Sequence, residues 1–91
     1  MLVRWTSDAA ADLEYIVDHI QEDSPGSARK VVQTIIRGIK LLDSFLQRGR
    51  PGTLEGTREL VFAPLPYLAV YRIHEETVEI LHIYHGAQDW M

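Results

Sequence analysis

The 91-residue sequence carries nine Lys and Arg against 13 Asp and Glu, a net charge of −4 at pH 7, with 46% hydrophobic and 24% charged residues. That length holds a single domain, residues 1–91, and the composition is globular, not disordered, collagen-like or coiled-coil. There is no cysteine, no apolar run long enough to span a membrane, and no signal-peptide pattern at the start, so a soluble cytoplasmic protein without disulfides, thiolate metal sites or sequence-specific DNA binding is expected.

Leu2-Val3-Arg4-Trp5 reads as a short strand of β-branched and aromatic residues. Thr6 or Ser7 can cap a following helix, and Asp8 suits the positive end of its dipole. Ala9, Leu13, Ile16, Val17 and Ile20 recur on one helical face, which predicts an amphipathic helix over about 7–22. Ser24-Pro25 restarts the helix, with the proline at a position that needs no N–H partner. Ala28, Val31, Val32, Ile35, Ile39, Leu42 and Leu46 then form an apolar stripe, predicting a second helix over about 25–47. Gly38 inside it weakens the helix and suggests close packing there. The short link makes the two helices an antiparallel hairpin.

Residues 50–56 read as a loop, after which the apolar period switches to two. Runs at 58–62, 67–73 and 78–84, with a turn at 74–77, predict three strands in an antiparallel meander. Residues 85–91 form a tail. The expected fold is α+β with order β-α-α-β-β-β, the helical hairpin packing on one face of a small antiparallel sheet. The other face is left to solvent or a partner.

Charge is segregated along this order. Residues 1–23 carry six acids and one base, residues 24–58 seven bases and two acids, and residues 59–91 five acids and one base. The basic stripe Arg29, Arg37 and Lys40, extended by Arg48 and Arg50, is a solvated helix face or the contact for an acidic partner. Leu41 and Phe45 flank it, either as interface residues or packed under the 50–56 loop. Arg58, Arg72, His82 and Asp89 can be read as a polar cluster in which arginine holds phosphate charge and histidine moves a proton. The favoured reading is strand-surface ion pairs, such as Arg58 or Arg72 with Glu79, which are common. His82 and His85, three apart on a strand, point to opposite faces, and no metal site or cofactor is expected. Nucleophile elbows and phosphate-binding glycine patterns are absent from the sequence.

Trp5-Thr6-x-x-Ala9-x-x-Asp12-Leu13, Gly56 to Leu60, Leu65 to Arg72 and Val78 to Gly86 together resemble the RelE/ParE superfamily of bacterial toxins, over essentially the whole chain. The resemblance implies the toxin half of a type II toxin–antitoxin (plasmid-stabilisation) module, neutralised by a small antitoxin. It also implies one of two activities. RelE-like members cut mRNA on the ribosome with arginines and lysines on the sheet and near the C-terminus; ParE-like members bind and poison DNA gyrase. Where the cleaving members have those basic residues, this chain has Glu59, Val61, Leu68 and Gln88, which places it nearer the ParE-like branch. On that reading Arg29, Arg37, Lys40, Leu41, Phe45, Arg58, Arg72, Tyr84, Asp89 and Trp90 meet the antitoxin or the target. The alternative is an mRNA endonuclease using Arg58, Arg72, His82 and His85, with Tyr84 a further acid–base group. A binding-only or inactivated family member is the third possibility.

Overall fold

The structure, a computed structural model, describes residues 2–45 and 49–86. Strand β1 (Leu2–Trp5) leads into helix α1 (Ser7–Asp23) and helix α2 (Pro25–Lys40), which a 3-10 turn (Leu41–Asp43) follows. Strands β2 (Arg50–Pro51), β3 (Arg58–Val61), β4 (Tyr67–His74) and β5 (Thr77–His85) complete the chain. The sheet order is β1-β5-β4-β3-β2. The predicted α+β architecture is present, with two differences in the sheet. The 50–56 segment contributes a two-residue strand, Arg50–Pro51, at one edge. At the other edge β1 lies parallel to β5, from Leu2 opposite Thr77 to Trp5 opposite Ile80, so only β2 to β5 are antiparallel.

Thr6 makes the junction between the sheet and α1. Its Oγ1 accepts from the Ala9 N–H at 3.2 Å, satisfying one of the helix's open donors, and donates to the Ile80 carbonyl at 2.7 Å. Its own N–H also donates to Ile80. Of the two candidate caps, Thr6 is the one used. Thr6→Val is therefore expected to cost about 1–2 kcal/mol in denaturant unfolding, whereas Ser7→Ala should stay within roughly 0.5 kcal/mol. Equal losses at the two positions would contradict this assignment. Ser24 caps α2 without a side-chain bond to a backbone N–H of the helix; its hydroxyl instead meets that of Ser27 in the first turn at 2.9 Å.

Helix α2 stops at Lys40, earlier than its apolar stripe predicts, and tightens into the 3-10 turn; Leu46, at the end of that stripe, lies outside the described residues. The tightening keeps Leu42 wholly buried. Ala9 and Ile16 of α1 with Val31, Ile35 and Ile39 of α2 pack on Leu60, Phe62, Ala69, Tyr71, Val78, Ile80 and Ile83. The close approach anticipated at Gly38 is real: a Cβ there would lie 2.8 Å from the Phe62 ring. The face away from the helices is partly apolar, because Leu68 and Val70 on it are buried while Val61, opposite Leu68, is exposed.

Candidate functional site

Strand register decides which polar residues meet. Arg58 stands opposite Tyr71 and so shares the helix-covered side, whereas Arg72 lies on the other face opposite Glu79. The Arg58 guanidinium donates to the Gly49 carbonyl, and the Gly49 N–H donates to the Tyr71 hydroxyl at 3.0 Å. Arg58 thus braces the chain where it enters β2. Arg72 Nε donates to Glu79 Oε1 at 2.7 Å, and Arg4 Nη2 lies 4.0 Å from the other oxygen, giving a three-residue row across β4, β5 and β1. His82 and His85 pair with Val70 and Tyr67 and lie on opposite faces. Arg58 and Arg72 therefore do not converge on one reacting atom. Of the two ion pairs anticipated with Glu79, the structure contains the one with Arg72.

The hydrogen bond from Arg72 outweighs the opposing effect of burial and, with lesser help from the charges of Arg72 and Arg4, holds the Glu79 carboxyl below its ordinary range. The folded pKa lies below the unfolded value, so this contribution is complete above the ordinary carboxylate range and is lost as pH falls through the lowered folded pKa. Arg72→Gln is expected to return Glu79 upward and to flatten the stability profile in that acid window. A carboxylate NMR titration of both proteins checks it, and an unmoved Glu79 would refute the assignment.

A bulge shapes the end of β5. Val70 pairs with His82 and Tyr71 with Ile80, leaving Leu81 as the extra residue. Beyond it β1 has ended, and α1 covers the bare strand edge: Asp12 Oδ2 accepts from the Ile83 N–H at 3.0 Å and lies 3.0 Å from His82 Nδ1. The carboxylate completes a ladder hydrogen bond and orients the imidazole. Tyr84 stacks on His82 with ring centroids 5.1 Å apart. Burial first, then the Asp12 and Asp8 carboxylates, push its phenol above the ordinary tyrosine range, so at neutral pH it keeps its proton. The only sequence sign of Asp12's role is its place in the opening motif; nothing local pairs it with a histidine 70 residues on.

On the hairpin's outer side, Arg29, Arg37 and Lys40 are exposed along α2, and Leu41 and Phe45 beyond it are 42% and 60% exposed. The exposure of Leu41 and Phe45 removes the reading in which the 50–56 loop buries them. Asp89 and Trp90, with Arg48 and Gln88, lie outside the described residues. Between the helices runs a groove of about 610 Å³ lined by Trp5, Leu13, Val17, Val32 and Ile36, with Glu14 and Asp18 on its α1 bank. Arg37 and Lys40 adjoin Val32 and Ile36 on the other bank. Ile36 escaped the sequence reading because it falls off the main stripe. Among the described residues no group of three His, Asp or Glu side chains is placed to hold a metal, and no helix is long and apolar enough to cross a membrane.

The sequence profile described as the ParE toxin of the type II toxin–antitoxin system parDE matches residues 3–90. The Y4kP protein of Sinorhizobium fredii is 41% identical over 88 residues, covering 97% of this chain and 91% of its own. Toxin RelE2 of Caulobacter vibrioides is 36% identical over 86 residues, covering 94% and 96%. Among solved structures, a chain of the chromosomal ParDE toxin–antitoxin system from P. aeruginosa superposes with a TM-score of 0.85 at 35% identity, covering 93% of this chain and 95% of that one. A chain of the RelBE2 toxin–antitoxin complex from Mycobacterium tuberculosis superposes with a TM-score of 0.60 at 28% identity, covering 96% and 92%.

Proposed function

The chain belongs to the ParE toxin family of type II toxin–antitoxin systems, within the RelE/ParE superfamily, and from that membership we propose that it acts by binding and inhibiting DNA gyrase and is neutralised by a cognate antitoxin. One observation carries the choice of target: the two arginines considered for RNA cleavage are engaged on opposite faces, Arg58 with the Gly49 carbonyl and Arg72 with Glu79. In-line cleavage of RNA needs charge-stabilising and proton-transferring groups around one phosphate. Glu59, held at 3.1 Å by Arg50, and buried Leu68 further support a non-nucleolytic reading. On this reading the protein is not an enzyme, needs no cofactor, and works in the bacterial cytoplasm as half of a plasmid-stabilisation module. The antitoxin meets the exposed basic stripe Arg29, Arg37 and Lys40 together with Leu41 and Phe45.

The Asp12-oriented His82 favours the mRNA endonuclease as the second reading. The test adds purified protein to gyrase supercoiling and cleavage reactions and, separately, to ribosomes programmed with mRNA. Gyrase inhibition with intact mRNA is expected. Codon-linked cuts with unaffected gyrase would replace this reading with the endonuclease, and silence in both would favour a binding-only protein.

A further inference from the structure

Between α1 and the end of β5 lies a cleft of about 350 Å³ whose polar lining is unlike that of the hairpin groove. Tyr15, His19, Tyr67, Tyr84 and His85 supply rings and Asp12 a carboxylate, and neither Lys nor Arg lines it among the described residues. The rings are already arranged. Tyr15 stacks on His19 with centroids 4.7 Å apart, and Tyr67 meets the edge of His85 at 5.5 Å. Asp12 Oδ2 is engaged by Ile83 and His82, while Oδ1 accepts no hydrogen bond from the described residues. The helix that forms one wall of the cleft is acidic: Asp8 and Glu22 also lie on α1, which carries no Lys or Arg.

We propose that this cleft receives an arginine side chain from a partner protein, its guanidinium lying against the tyrosine faces and donating to Asp12. Aromatic faces attract a cation through their quadrupoles, and a carboxylate beside them supplies the matching charge. Arginine fits better than lysine because its planar, weakly hydrated group stacks on rings while an N–H at its edge donates to Oδ1. Phosphate-bearing ligands are disfavoured, since the acidic helix repels them. The proposal rests on the reading that the chain docks on a protein, and it makes that docking two-signed. The basic stripe on α2 meets an acidic stretch, and the cleft at the α1–β5 edge meets a basic side chain.

The test titrates isotope-labelled full-length protein with N-acetyl-arginine amide at low salt, following the ring and backbone NMR signals. Saturable shifts confined to Asp12, Tyr15, Tyr67, Tyr84 and His85 are expected, weakened about fivefold by Tyr15→Leu or Asp12→Asn. Tyr15 is 63% exposed, so its replacement leaves the core untouched. N-acetyl-citrulline amide, neutral but of the same shape, should not saturate. Equal binding by the citrulline or lysine amide, shifts outside the cleft, binding of adenosine monophosphate in its place, or an unchanged titration in folded Tyr15→Leu would each overturn the proposal. Gyrase inhibition does not require this cleft, so an absence of arginine binding leaves the choice of target standing. Equally, a silent gyrase assay leaves the cleft's chemistry standing.

Discussion

Replacing Tyr71 by alanine is expected to lower the unfolding free energy by about 4 kcal/mol, and replacing it by phenylalanine by about 1–2 kcal/mol. Tyr71 is 0% exposed and heads the fully buried side chains by size, so truncation opens a cavity among Ile35, Ile80 and their neighbours. Its hydroxyl has a separate role. It accepts from the buried Gly49 N–H, and Arg58 secures the carbonyl of the same glycine. Phenylalanine keeps the ring and leaves that N–H without its acceptor, which is the origin of the smaller loss. A domain of this length has a total stability on the order of 5–14 kcal/mol, so the alanine variant gives up between about a quarter and most of it. Urea unfolding of both variants separates the two effects. A Tyr71→Phe protein as stable as the parent would mean the hydroxyl contributes nothing, and one as unstable as Tyr71→Ala would mean the ring does not. The same geometry explains why Gly49 is a glycine: a Cβ there would lie 2.6 Å from the Tyr71 hydroxyl and 2.8 Å from the Glu59 carbonyl.

What the sequence made legible was whatever depends on neighbours in the chain. Helix α1 ends within a residue of its predicted limit because Ser24-Pro25 is a local signal, and β4 and β5 lie within a residue of their predicted limits. Packing at Gly38 could be anticipated because glycine in a helix interior carries a cost that close approach offsets. The parallel pairing of β1 with β5 was not legible, since Leu2 and Thr77 are 75 positions apart and the strand pattern is the same for either direction. Nor was the bulge at Leu81, which puts Glu79 and His82 on one face although they are three residues apart. The site followed the same division. The exposure of Arg29, Arg37 and Lys40 was readable from helical period, whereas the separation of Arg58 from Arg72 and the meeting of Asp12 with His82 are consequences of register and tertiary packing.

Saturating the chain with its antitoxin is expected to raise the thermal midpoint by roughly 15–30 °C when the free antitoxin stands at about a thousand times its Kd. A ligand that binds only the folded state adds about 4 kcal/mol at that excess. In a domain this small each kcal/mol moves the midpoint by about 4–8 °C, because the unfolding entropy scales with chain length. The surface supports a contact of that strength: exposed Ile36, Leu41 and Phe45 supply apolar area beside Arg37 and Lys40, and that pairing of apolar and basic groups suits an amphipathic acidic segment. Reversing two charges, Arg37→Glu with Lys40→Glu, should weaken binding about 30-fold at low salt and so halve the midpoint shift at the same antitoxin concentration. Both side chains are exposed, so the unliganded midpoint should hardly move. Differential scanning measurements on the parent and the double variant, at low salt and at 0.5 M salt, distinguish the outcomes. An undiminished shift in the double variant would move the antitoxin off α2. A parent shift of only a few degrees would mean that the exposed apolar row beside α2 stays in water in the complex.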